Sequence, residues 1–246
     1  MKKDKTQVIY GRHPVLDALK SGENFEKIML QQGLHGEFEK EVRHLCKSRN
    51  ITMRVIPKEA LNRVTKGNHQ GVIGLLSFIS YYKLEDVLPG IYENNEIPLI
   101  ILLDNVTDVR NFGAIARSAE CSGAHALVVP KKGSALINAE ALKTAAGALT
   151  KIPVCRESSL TKAIEVLQLS GVQVFASSLK ASKNIYELDF SVPTAIVIGS
   201  EGEGISRAME KGADELFIIP QKGTTDSFNV SVAAGIMLYE VMRQRG

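Results

Sequence analysis

Three polar loops in the second half of this chain carry the residue types that handle a charged or hydroxyl-rich ligand. The first, Asp104-Asn105-Val106-Thr107-Asp108-Val109-Arg110-Asn111-Phe112-Gly113, leads into a helix that carries Arg117. Asn111 can cap that helix through its side-chain oxygen. Arg117 lies six residues on, and its guanidinium suits a phosphate, which it grips in a planar fork. Taken alone, an arginine here is more often a solvated partner of Glu120.

The second loop is Gly199-Ser200-Glu201-Gly202-Glu203-Gly204. Its glycines allow a ligand close to the backbone, and the helix after it offers free N–H groups. The spacing is GxxGxG, not the GxGxxG of dinucleotide loops. Two carboxylates would repel a pyrophosphate. They suit an amine, a sulfonium or hydroxyl donors. By spacing alone, a tight turn with solvated acids is an equal reading. The third loop, Ile219-Pro220-Gln221-Lys222-Gly223-Thr224-Thr225-Asp226-Ser227-Phe228-Asn229, is polar and rich in backbone donors and acceptors. The helix after it, Val230–Ile236, is small and apolar on most sides, as a core helix or a helix against a second subunit would be.

Each of these loops follows a short apolar run: Leu99–Leu103, Ala195–Ile198 and Leu216–Ile219. Further strands are predicted at Ala126–Val129 and Val172–Ala176. Helices are predicted at Phe112–Cys121, Ala139–Ala146, Ala163–Leu169, Ile205–Lys211 and Val230–Arg243. Alternating strands and helices imply an α/β fold, a parallel sheet with helices on both faces. Ligands of such sheets bind at the carboxyl ends of the strands. The first segment reads as a small α/β unit. A turn at Gly11-Arg12-His13-Pro14 precedes a helix to about Leu19, and strands at Lys27–Leu30, Thr52–Ile56 and Val72–Ser77 alternate with helices at Glu37–Lys47 and Lys58–Val64. Pro89-Gly90 and Asn94-Asn95 mark a join of weak periodicity. We therefore expect domains at 1–80 and 96–246, with 81–95 as a linker.

Residues 1–80 hold 14 Lys and Arg against 8 Asp and Glu, although the whole chain carries only +3. Phosphate backbones attract such a surplus, and an unpartnered solvated surface carries one equally well. Cys46, Cys121 and Cys155 form no CxxC pair. No HExxH, P-loop lysine, GxSxG elbow or metal-spaced cluster is present, so no metal is expected. The start is basic without an apolar signal region, and no apolar stretch is long enough for a bilayer span. A cytoplasmic protein away from membranes is the expectation.

Together, the stretches LLDNVTDVRNFGAIARSAECSGAHALVVP, AIVIGSEGEGIS and IIPQKGTTDSFNVSVAAGIMLYEVMRQR resemble, in order and spacing, the three motifs of the SpoU (TrmH) family of the SPOUT methyltransferases. IYGRHPVLDAL and NHQGVIGLL are similar to the small substrate-binding domain found in many members. The resemblance implies 2′-O-ribose methylation of RNA, not DNA, from S-adenosylmethionine. It also implies a carboxyl-terminal trefoil knot and a homodimer. A guanosine of 23S ribosomal RNA is the expected target. The alternatives are a tRNA ribose or a non-catalytic RNA-binding or ribosome assembly factor. By motif position, Gly199, Ile219 and Phe228 lie against the cofactor, and Asn111, Arg117, Glu201, Ser227 and Asn229 fall on the functional polar positions. Phe228 stands where the family more usually has leucine. The family's usual proposal makes Arg117 the base; we read it as a clamp on the target phosphate and ribose, because arginine gives up its proton only at great cost.

Overall fold

Leu99–Leu103 and Thr194–Ile198 are apolar at almost every position, so a strand made of either must be covered on both faces. The computed structural model, which describes residues 8–135 and 137–246, places both at the centre of a sheet. The basic stretch Met1–Gln7 lies outside the described residues. The chain divides into two units, residues 1–80 with 137–139, and residues 81–136 with 140–246.

The front unit contains β1 (Val8–Tyr10), α1 (Arg12–Lys20), β2 (Phe25–Gln31), α2 (Glu37–Ser48), β3 (Met53–Ile56), α3 (Lys58–Val64) and β4 (Val72–Leu76). Its sheet has the order β1-β4-β2-β3, with β4 antiparallel to both neighbours and β3 parallel to β2. Val15 and Leu19 of α1 and Val42 and Cys46 of α2 pack on Ile28, Leu30 and Val72. Leu61 of α3 packs with Met29 and Ile73, which alternate onto the opposite face.

The second unit contains β5 (Tyr81–Tyr82), α4 (Leu84–Glu93), β6 (Leu99–Leu103), α5 (Val109–Cys121), β7 (Ala126–Pro130), α6 (Ala139–Ala145), β8 (Val154–Glu157), α7 (Leu160–Leu169), β9 (Gln173–Ser177), β10 (Lys183–Asn184), β11 (Thr194–Ile198), α8 (Arg207–Gly212), β12 (Glu215–Ile218) and α9 (Val230–Arg245). Every strand pairing in its sheet is parallel, in the order β10-β12-β9-β11-β6-β7-β8-β5. The α/β parallel-sheet class expected from the sequence holds. Ile100 and Leu102 of β6 face a core shared with α4, α7 and α8. Leu99, Ile101 and Leu103 alternate to the other face and are also buried. That face falls to α5 and α9, which pack against one another.

The end of α9 closes the amino ends of the central strands. Arg245 donates from Nε to the Phe190 carbonyl at 2.9 Å, from Nη1 to Ile97 at 2.8 Å, and from Nη2 to Pro98 at 3.0 Å and Val192 at 2.8 Å. Burial disfavours its charge and lowers its pKa. The carbonyls supply the compensating partners.

Residues 84–93 form a helix inside the stretch read from sequence as a linker. Leu84, Leu88 and Ile91 stand at helical spacing and are buried, although Pro89 and Gly90 lie within the helix. Tertiary burial outweighs the two breakers here. Leu88→Ala should therefore destabilise the second unit by about 2–4 kcal/mol, which urea denaturation will read. A true linker would lose almost nothing.

Candidate active site

β6 and β11 are paired along their whole length, from Thr194 with Leu99 to Ile198 with Leu103, so their exits lie side by side. Asp104 follows β6 directly. Its amide donates to the Ile198 carbonyl at 2.8 Å and extends the ladder. Its buried carboxylate accepts the Ser206 amide at 2.6 Å on Oδ2 and the Asn105 side chain at 3.0 Å on Oδ1. A buried carboxylate needs such donors in place of the water it has lost. They bind the first loop to the second.

Asp108, not Asn111, caps α5. Its Oδ1 accepts the amides of Arg110 at 2.9 Å and Asn111 at 2.8 Å. The helix begins at Val109, three residues earlier than its apolar pattern suggested, so Asn111 already lies in the first turn. Its side chain is free to bridge two other loops. Asn111 Nδ2 donates to Glu201 Oε2 at 3.3 Å, and Asn111 Oδ1 accepts from Asn229 Nδ2 at 3.1 Å. Asn229 in turn caps α9, where its Oδ1 accepts from the Ser231 amide at 3.0 Å and the Ser231 hydroxyl at 2.6 Å. Three of the five polar positions singled out in the sequence, Asn111, Glu201 and Asn229, thus form one connected chain.

Arg117 is not joined to that chain. It is exposed on α5, about 9 Å along the helix axis from Asn111 and roughly 120° around it. It makes no hydrogen bond or ion pair with any described residue. Glu120 is engaged by Lys151 at 2.9 Å instead.

The Gly199–Gly204 loop is a closed turn. Ser200 and Gly204 exchange two backbone hydrogen bonds, each of 3.0 Å. Gly202 and Gly204 take φ of 91° and 69°, in the left-handed region. A Cβ at position 199 would lie 2.0 Å from the carbonyl carbon of Gly204, so only glycine admits the fold-back. The turn holds up Glu201 and Glu203, both exposed.

A cavity of about 310 Å³ opens beside this turn, at the carboxyl ends of β9, β11 and β12. Gly199, Glu201, Ile219, Ser227 and Phe228 all line it. Its apolar wall includes Ile198, Ile219 and Met237, and its polar rim includes the two loop glutamates. That combination suits a ligand with a flat apolar part and a positive charge, and the volume falls in the usual range for small-molecule sites, about 300–1,000 Å³. Reading the sequence missed Ser177, Ser178, Lys180 and Glu210, which also line the cavity. Ser178 donates to Glu210 at 3.2 Å, and Lys180 lies 3.6 Å from the same carboxylate. The rule that located the other loops, a polar stretch after a buried strand, applies equally to the one after β9.

Residues 98–239 match the SpoU rRNA Methylase family, and residues 8–82 match the RNA 2'-O ribose methyltransferase substrate binding family. The chain is 35% identical to the 23S rRNA (guanosine-2'-O-)-methyltransferase RlmB of Yersinia pestis, over 98% of each chain. Among solved structures, it is similar to the AdoMet bound rRNA methyltransferase from Sinorhizobium meliloti, at 27% identity and a TM-score of 0.62, over 96% of this chain and 86% of that one. It is also similar to the A. aeolicus TrmH/SpoU tRNA modifying enzyme, at 32% identity and a TM-score of 0.56, over 66% of this chain and 84% of that one. Family match, full-length relatives and fold agree, and this chain belongs to the SpoU rRNA methylase family.

Proposed function

We propose that this protein transfers the methyl group of S-adenosylmethionine to a ribose 2′-hydroxyl of RNA, and that a guanosine of 23S ribosomal RNA is the target. One observation carries the reading: the loops after β9, β11 and β12 converge on a cavity, and beside it Asn111 of α5 is bonded to both Glu201 and Asn229. The same reaction is named for the Yersinia pestis relative.

The cavity fits the cofactor by its chemistry. Ile198, Ile219 and Met237 offer apolar surface for a flat ring, and Phe228 adds an aromatic face. Backbone groups of the two glycine-containing loops offer partners for ribose hydroxyls. Glu201 and Glu203 favour a cationic ligand over a pyrophosphate. When bound, S-adenosylmethionine supplies a methyl group activated by a positive sulfur.

The chain's residues must then orient a weak nucleophile. In the transfer, the ribose oxygen gains the methyl group and loses its proton. Correct placement alone supplies much of such a rate, about 7–11 kcal/mol in favourable cases. Arg117 has no partner among the described residues and suits the target phosphate, which it would clamp in a planar fork. Arginine side chains stay protonated in proteins, so the proton leaves to a phosphate oxygen or to water. Asn111 positions the carboxylate of Glu201, Asn229 holds Asn111 in place, and Ser227 offers its hydroxyl at the cavity wall.

Arg117 lies outside the connected chain of one subunit, and a homodimer would complete its surroundings. Val232, Ile236, Tyr239 and Met242 recur at helical spacing on α9, and Tyr239 is 68% exposed. A second copy that covered this stripe would bury apolar surface beside the site. The carboxyl-terminal knot of the family belongs to the same reading. So does a cytoplasmic location, where ribosomal RNA is available.

Unmodified 23S ribosomal RNA and tRNA, each offered labelled S-adenosylmethionine, test the activity. Label should map to one guanosine 2′-oxygen of the 23S RNA. Label in tRNA alone would replace the substrate, and label on a base would refute the chemistry. Arg117→Ala should lower kcat at least ~100-fold with cofactor affinity near normal, which single-turnover kinetics and calorimetry will separate. Gly199→Ala should do the opposite and weaken cofactor binding at least ~10-fold, because its methyl group forces the turn open.

A further inference from the structure

The front unit holds a second hollow, of about 540 Å³, between the starts of α1 and α3 and the loop Gly67–Gly71. Arg12, His13, Lys58, Asn62, Asn68 and Gln70 stand on its wall, and none of its lining residues is an aspartate or glutamate. In a chain with 27 acidic residues, a concave surface with cations and no carboxylate selects an anion.

The wall is set before any ligand arrives. His69 is buried; its Nδ1 accepts the Gly71 amide at 3.0 Å, and its Nε2 donates to Asn62 Oδ1 at 2.9 Å. That leaves the Asn62 amino group available. Gln70 Oε1 accepts the Arg12 amide at 2.9 Å, and the Gln70 carbonyl accepts Arg12 Nε at 3.4 Å. Gln70 adopts a φ of 49°, a conformation that a non-glycine residue keeps only when its surroundings impose it. Such strain gathers at ligand sites. Asn68, with no hydrogen bond to a described residue, presents a free donor and acceptor.

An aromatic ring lies next to the hollow, against Gly67 of its lining. Tyr10 is 41% exposed, and its ring lies against Gly67, where a Cβ would come within 2.4 Å of it. Exposed aromatic rings are platforms for bases, and amide side chains read base edges on unpaired nucleotides. We propose that this hollow binds one unpaired nucleotide of the RNA substrate, away from the methylated ribose. Arg12 and Lys58 hold its phosphate, Asn62 and Asn68 meet its base, and Tyr10 stacks on it. The inference rests on the RNA activity proposed above and adds where the front unit grips its substrate.

Lys58→Glu and Asn68→Asp each place a negative charge on the wall and remove no interaction seen in the structure. The test measures binding of the full-length variants to unmodified 23S ribosomal RNA, with cofactor binding as the control for folding. Each variant should weaken RNA binding at least ~10-fold and raise KM by a similar factor, with kcat at saturating RNA and cofactor affinity unchanged. Lys58→Ala should lower the salt dependence of RNA binding by about one counterion. RNA affinity within twofold of the unaltered protein in both charge variants overturns the site. Guanosine 5′-monophosphate distinguishes the other source of a nucleotide: a mononucleotide that loses affinity in the variants while RNA does not would assign the hollow to a free ligand and reject the RNA reading. The unaltered protein with 4-thiouridine-substituted RNA gives a readout independent of any variant. Crosslinks at Tyr10 or residues 67–71 support the site, and crosslinks confined to other surfaces refute it. An unaltered enzyme that methylates no RNA defeats the activity itself; an active enzyme with indifferent variants defeats only this hollow.

Discussion

The hydrogen bond from the Ser206 amide to the buried carboxylate of Asp104 is the contact on which the site depends. β6 and β11 are far apart in sequence and adjacent in space. Parallel pairing aligns their exits, but a strand pair does not by itself hold the loops beyond it. Asp104 does so, because it carries the ladder one residue further and turns its charge toward the neighbouring loop. With that seam closed, Glu201 comes within reach of Asn111, and Asn111 within reach of Asn229.

α9 links this end of the sheet to the other. Its first turn is capped at the site by Asn229, and Arg245 binds carbonyls of the segments that enter β6 and β11. Sixteen residues of helix span about 24 Å, so one rigid element meets both ends of the central strands. The front unit is organised differently. It has its own core and a mixed sheet, and the polar residues of its hollow come from the starts of two helices and one loop rather than from the ends of a parallel sheet.

Much of this was legible in the residues. The runs Leu99–Leu103 and Ala195–Ile198 announce buried strands, and the loops after them were found as sites because ligands gather at such ends. β1, β5 and β10 escaped because two or three residues carry no periodicity. β8 escaped because Arg156 and Glu157 break its apolar run, although Arg156 is buried and stacks on the Tyr81 ring. α4 was hidden by Pro89 and Gly90. The role of Asn111 could not be read locally, since its partners lie 90 and 118 residues away. Spacing marks a candidate; only tertiary pairing says which neighbour an amide side chain serves. The expectation that Gly199, Ile219 and Phe228 share one ligand came through family resemblance, not through local pattern; all three line the cavity.

Those long separations also bear on how the molecule is made. Contacts between distant segments form late, because the closure of a long loop costs entropy before any contact repays it. The Asn111–Glu201 and Asn229–Asn111 bonds are of this kind, with partners 90 and 118 residues apart. A half-folded chain can therefore have finished helices and several paired strands and still lack any centre able to act on RNA. The polar chain at the site is complete only when the start of the last helix has met Asn111 through Asn229.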